Sequence, residues 1–66
     1  MTLRERRERL GVTQVEIARA MGVSAITVSN IERGKPSAYV SAMSLALDAC
    51  ERQRRDAQDE QRRSAR

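Results

Sequence analysis

The stretch Thr13-Gln14-Val15-Glu16-Ile17-Ala18-Arg19-Ala20-Met21-Gly22-Val23-Ser24-Ala25-Ile26-Thr27-Val28-Ser29-Asn30-Ile31-Glu32-Arg33-Gly34 decides the fold. It reads as two helices joined at Met21-Gly22-Val23-Ser24. Thr13 and Glu16 have the spacing of a capping box, in which the threonine hydroxyl and the glutamate carboxylate each satisfy a free backbone N–H. Ile17, Ala18 and Met21 fall on one face of the first helix. Val28 and Ile31 fall on one face of the second, and Val23 sits at the turn. Ala18 is small enough for the helices to cross closely, and Gly22 tolerates the positive φ of a tight turn. Ser24 is the natural N-cap of the second helix, which is predicted over Ala25 to about Arg33.

Outward from this pair the punctuation continues. Gly11, Gly22 and Gly34 stand at near-regular intervals, where glycine relieves the left-handed residue beyond a helix end. Thr2-Leu3-Arg4-Glu5 repeats the capping-box spacing and opens a helix before Gly11. Lys35-Pro36-Ser37 breaks the chain and caps a fourth helix predicted from Ala38 through Cys50. Tyr39, Met43, Leu47 and Cys50 form its apolar face at spacings of four, four and three.

After Cys50 the composition changes. Residues 51–66 hold six arginines and four acids, with only Ala57 and Ala65 apolar. The boundary therefore falls between a folded unit at 1–50 and a charged tail at 51–66. Glu51/Arg55 and Asp59/Arg63 are oriented to support a helix at i,i+4. With no apolar face, the tail is expected to be a fraying helical extension or disordered, and not docked on a core.

The 66 residues allow one small domain. One cysteine cannot staple it, and without histidine no zinc set forms. The absence of histidine also removes the commonest general base, and neither a phosphate loop nor a nucleophile elbow is present. A single aromatic, Tyr39, speaks against single-strand binding on stacked rings. The net charge of +4 favours an anionic partner. It divides as +2 in residues 1–10, 0 in 11–50 and +2 in 51–66. No apolar run reaches the roughly 20 residues that span a bilayer, and no apolar signal region follows the charged N-terminus. An intracellular chain with a reduced Cys50 is expected.

Leu10-Gly11-Val12-Thr13-Gln14, Ile17-Ala18, Met21-Gly22-Val23-Ser24 and Val28-Ser29-Asn30-Ile31-Glu32-Arg33-Gly34 together resemble the Cro/C1-type (XRE) helix-turn-helix family. The resemblance covers about residues 3–47. Its most specific parts are the Thr-Gln helix start and the Ile-Glu-Arg-Gly ending. It implies an all-α, lambda-repressor-like bundle of four short helices that binds double-stranded DNA. Two features depart from the family. The loop after Gly34 is short, and the charged tail replaces the usual fifth helix and its dimer surface. Short phage-type regulators, including those beside anti-CRISPR genes, resemble the fourth helix with its Pro36, Tyr39 and Leu47.

On an ideal wheel Ile26, Asn30 and Arg33 lie within about 60° of one another, opposite Val28 and Ile31. With the resemblance, Ile26 is expected on a thymine methyl and Asn30 on adenine. Ala25 and Ser29 flank them. Gln14 opens the second helix, where free N–H groups suit a phosphate, and the family places a backbone contact there. Ser24, Thr27, Arg33 and Lys35 complete the expected phosphate contacts. The bland alternative for each is a solvated helix residue. The resemblance also pairs Arg7 with Glu32 as a structural lock.

The expected protein is a cytoplasmic, bacterial or phage-encoded transcriptional regulator, a repressor with its own operon among the expected targets. It needs no enzyme chemistry, cofactor, metal or membrane. One small module touches a short site, so a homodimer on an inverted repeat is expected. Ala38, Ala42, Leu45 and Ala49 form its candidate surface; the alternative is that they rim the monomer core. The rival readings are an antitoxin-like module whose tail folds on a protein partner, and a membrane-surface helix, for which the tail lacks an apolar face.

Overall fold

A computed structural model of the chain describes residues 1–64, with side chains through Arg62. Four helices follow in order: α1 Leu3–Arg9, α2 Gln14–Met21, α3 Ala25–Glu32 and α4 Val40–Ser64. The fold is all-α.

Each short helix is delimited by its own sequence. Thr2, Thr13 and Ser24 are extended N-caps whose hydroxyls accept from Glu5 N, Glu16 N and Thr27 N. In α2 the box is complete, because Thr13 N also donates to Glu16 Oε1 at 3.1 Å. At the other ends Val12 N donates to Arg7 O, Val23 N to Ala18 O and Lys35 N to Asn30 O. Each of these bonds spans five residues across a glycine with positive φ, the Schellman arrangement. At Gly22, φ is +73° and no atom lies within 4 Å of where a Cβ would sit. Backbone conformation alone therefore demands glycine there, since an L-residue in this region costs about 1–2 kcal/mol.

Ile17 and Ala18 of α2, Val28 and Ile31 of α3, and Met43 and Leu47 of α4 form the buried core. Leu3, Leu10, Val12, Met21, Val23, Ala25, Ala46 and Cys50 pack around it. Full burial of each large side chain is worth about 1.5–3 kcal/mol. Six core residues thus hold α3 against α2 and α4, and leave its opposite side outward.

The fourth helix starts later than expected, and at its far end it takes the helical one of the two forms expected for the tail. It starts at Val40, not Ala38, because Ser37 Oγ accepts from Tyr39 N at 3.1 Å and holds 38–39 as a turn. Tyr39 therefore precedes the helix and is 49% exposed, outside the apolar face that Met43 and Leu47 form. At the far end α4 passes position 51 without interruption and runs 25 residues to Ser64, about 37 Å of helix. Ala65 and Arg66, and the expected Asp59/Arg63 pairing, lie outside the described residues and side chains.

The start of the tail docks through polar groups. Arg6 of α1 donates to Asp48 Oδ1 at 2.6 Å, Ser44 Oγ at 3.2 Å and Glu51 Oε1 at 3.3 Å. Glu51 therefore turns to α1 and not to Arg55. Arg54 Nη1 donates to the Arg9 carbonyl at 2.8 Å and covers the end of α1. Among the other N-terminal arginines, Arg4 pairs with Glu8 at 3.0 Å.

Candidate nucleic-acid interface

The α3 register that buries Val28 and Ile31 turns Ile26 outward, where it is 73% exposed. Asn30 lies on the same side and is half-buried; its carbonyl accepts from Lys35 N. Among the described residues its side-chain amide makes no hydrogen bond. Both edges of that amide remain available to a ligand. Ser29 is half-buried beside this strip, and Ala25 leans on the core cluster. Ala25 thus brings backbone, more than side chain, to the outward surface.

At the start of α3 the Ser24 and Thr27 hydroxyls lie 3.1 Å apart, and Ser24 Oγ also accepts from Thr27 N. At its end Arg33 and Lys35 are exposed, and neither enters an ion pair among the described residues. The helix thus has hydroxyls at its entry, free cations at its exit and an apolar–amide strip between them.

Gln14 is the first residue of α2. Its Nε2 donates to Glu32 Oε1 at 3.1 Å, so the side chain is tied to the last residue of α3. The same carboxylate accepts twice from Arg7: Nε to Oε2 at 2.6 Å and Nη2 to Oε1 at 3.1 Å. Arg7 Nη1 donates to Val12 O at 2.9 Å. The Arg7 and Glu32 side chains are only 12% and 5% exposed. Burial pushes the Glu32 carboxyl up. The hydrogen bonds from Arg7 and Gln14 and the charges of Arg7 and Arg4 outweigh it, and the group sits below its ordinary range. The hydrogen bond to Glu32 raises Arg7 further above its ordinary value. Arg7 is therefore committed to the interior, and the surface cations are found elsewhere.

Two helices of eight residues, a three-residue turn that opens on a left-handed glycine, and a second helix that turns one face out make up a helix-turn-helix unit. A family model described as a helix-turn-helix domain matches residues 1–61. The chain belongs to the helix-turn-helix domain family. No curated protein and no solved structure matches it. Membership in this family supports DNA binding. In DNA-bound helix-turn-helix proteins generally, the second helix of the unit lies in the major groove while the first crosses the backbone.

The family match extends through position 61, beyond the expected boundary at Cys50 and far along α4. On α4, Leu45 is 67% exposed and Ala49 is exposed, with Ala42 half-buried; Ala38, exposed as well, lies in the turn before the helix and not on the expected helical face. Leu45 points away from Met43 and Leu47 and takes no part in the core. Among the described residues no group of His, Cys, Asp or Glu is placed to hold a metal ion. Among the described residues no helix is long and apolar enough to cross a membrane.

The contacts that sequence reasoning missed are those of Arg6 and Arg54. A signal for the first existed: Ser44, Asp48 and Glu51 are spaced four and three along α4, so they form one polar stripe. Arg54 bonds a main-chain carbonyl, and no residue type marks that acceptor in a sequence.

Proposed function

We propose that this protein is a sequence-specific transcriptional regulator of the Cro/C1 type, a repressor that reads duplex DNA with α3 in the major groove. The observation that carries this reading is the outward strip of α3, with Ile26 73% exposed beside an Asn30 amide that no group among the described residues engages. Asn30 donates to and accepts from one adenine edge, and Ile26 packs on a neighbouring thymine methyl. Ala25 and Ser29 bring the backbone of α3 close to the bases. Gln14, Ser24, Thr27, Arg33 and Lys35 hold phosphates on either side and fix the register of the helix.

The work is binding alone, with no catalysis, cofactor or metal. A second copy supplies a second half-site through Ala38, Ala42, Leu45 and Ala49, and the operator is an inverted repeat. A partly apolar α4 face opposite the core supports this assembly. The protein acts on the DNA of a bacterial or phage-infected cell, at the operator of its own operon among others. Footprinting of the region upstream of its own gene tests the autoregulatory part. Protection of two symmetric half-sites is expected; uniform cleavage at saturating protein would contradict it.

A further inference from the structure

The Glu32 carboxylate links three segments through two oxygens. Arg7 of α1 takes both oxygens, and Gln14 at the start of α2 takes Oε1. A carboxylate only accepts, so it holds the Gln14 amide by its nitrogen edge and excludes the flipped amide, whose carbonyl would face a negative oxygen. One Gln14 side-chain N–H is thereby used. The other has no partner among the described residues.

The capping box engages Thr13 N and Glu16 N, while the N–H groups of Gln14 and Val15 at the first turn have no intrahelical acceptor. A phosphate at this end needs donors only. It meets those two backbone groups and the second Gln14 N–H, provided the side-chain amide keeps its nitrogen edge in place. A flipped amide would present a carbonyl oxygen and repel the anion. Arg7 neutralises the Glu32 charge that would otherwise oppose a phosphate nearby.

We propose that Glu32 is a positioning residue for the DNA-backbone contact of Gln14: it fixes the amide as a donor and ties the last residue of the reading helix to the phosphate contact on α2. This role rests on the DNA-binding reading above. It goes beyond a structural lock between Arg7 and Glu32, because it makes the affinity for any duplex depend on the charge of a residue that touches no DNA.

The test is a binding cycle on cognate and scrambled duplexes across a salt series, with wild type, Gln14→Ala, Glu32→Gln and the double variant, each shown folded by circular dichroism. Glu32→Gln keeps the shape but accepts either edge of the Gln14 amide. Each single variant should lose roughly tenfold on both duplexes, the size of one hydrogen bond to a charged group. Gln14 carries no charge, so loss of its contact should leave the salt slope close to that of wild type. The double variant should lose no more than either single one. Additive losses, or a Glu32→Gln variant with wild-type affinity, overturn the proposal and leave the DNA-binding reading intact. Wild type that binds no duplex overturns both.

A second measurement avoids dependence on the folding of the variants. In wild type, the two side-chain amide protons of Gln14 are followed by NMR as duplex is added. One should remain at its Glu32-bonded position while the other moves. Joint movement of both, or of neither, overturns the proposal.

Discussion

Arg7 and Glu32 join α1 to α3 by two parallel hydrogen bonds, at 2.6 and 3.1 Å, with both side chains almost wholly withdrawn from water. Stranding one charge of such a pair costs about 3–5 kcal/mol. A domain of 66 residues is stable by roughly 3–10 kcal/mol. Glu32→Ala should therefore bring the protein close to unfolding at room temperature, and Arg7→Ala should do nearly as much. The double variant should be less destabilised than the two losses added together. Thermal melts of all four proteins check this, and additivity would show that the two residues act independently.

Acid should weaken the fold through the same carboxylate. Glu32 sits below its ordinary range in the folded chain. Its contribution is therefore complete above the unfolded value of about 4.3 and is lost as pH falls toward and through the depressed folded value. Glu16 is shifted in the same direction by the Thr13 backbone and side-chain hydrogen bonds, and adds to the acid limb from an exposed position. Denaturant midpoints should be flat from pH 7 to about 5 and fall below it. In Glu32→Gln the fall should be shallower; an unchanged acid limb would remove Glu32 as its cause.

The tail separates into a docked and a projecting part. Arg6 reaches Asp48 and Glu51, and Arg54 reaches the end of α1. Deleting residues 56–66 leaves all these contacts in place. The truncated protein should melt within a few degrees of the full chain, while its affinity for cognate and scrambled DNA falls equally or not at all. Arg6→Ala should lower the melting temperature more than that deletion does. Loss of folding on deletion would mean that the projecting half of α4 holds the fold.

Assembly is tested at Leu45. Because this side chain is 67% exposed and outside the core, Leu45→Arg should leave the monomer folded. Sedimentation of wild type at micromolar concentration should give twice the chain mass, and the variant should give the single mass and bind a two-half-site duplex more weakly. Monomeric wild type, free and on that duplex, would contradict the dimer.

The parts of the fold legible in the sequence are those fixed by local chemistry. The caps Thr2, Thr13 and Ser24 and the glycines at 11, 22 and 34 each act within five residues, so their pattern sets three helices directly. The buried faces of α2 and α3 follow from helical period. Tyr39 was misplaced because an apolar residue at the right spacing does not reveal whether the helix has yet begun. The docking of the tail's start is not legible in its apolar residues, because Arg6 supplies it by charge. In the site, the outward strip follows from the wheel. The bond from Gln14 to Glu32 does not, since it joins residues 18 positions apart across two helices.

The central claim is that the outward face of α3 reads base sequence, and Asn30 is its most direct probe. The measurement is the affinity of wild type, Asn30→Ala and Gln14→Ala for a duplex selected from a random pool and for its scrambled counterpart, with each fold confirmed by circular dichroism. Wild type should prefer the selected duplex. Asn30→Ala should lose about 1–3 kcal/mol on that duplex alone and relax the preference at one base pair per half-site. Gln14→Ala should weaken both duplexes alike, because a phosphate contact carries no base information. Equal losses on both duplexes for a folded Asn30→Ala would remove Asn30 from the reading face, and a wild type indifferent to sequence would contradict the account itself.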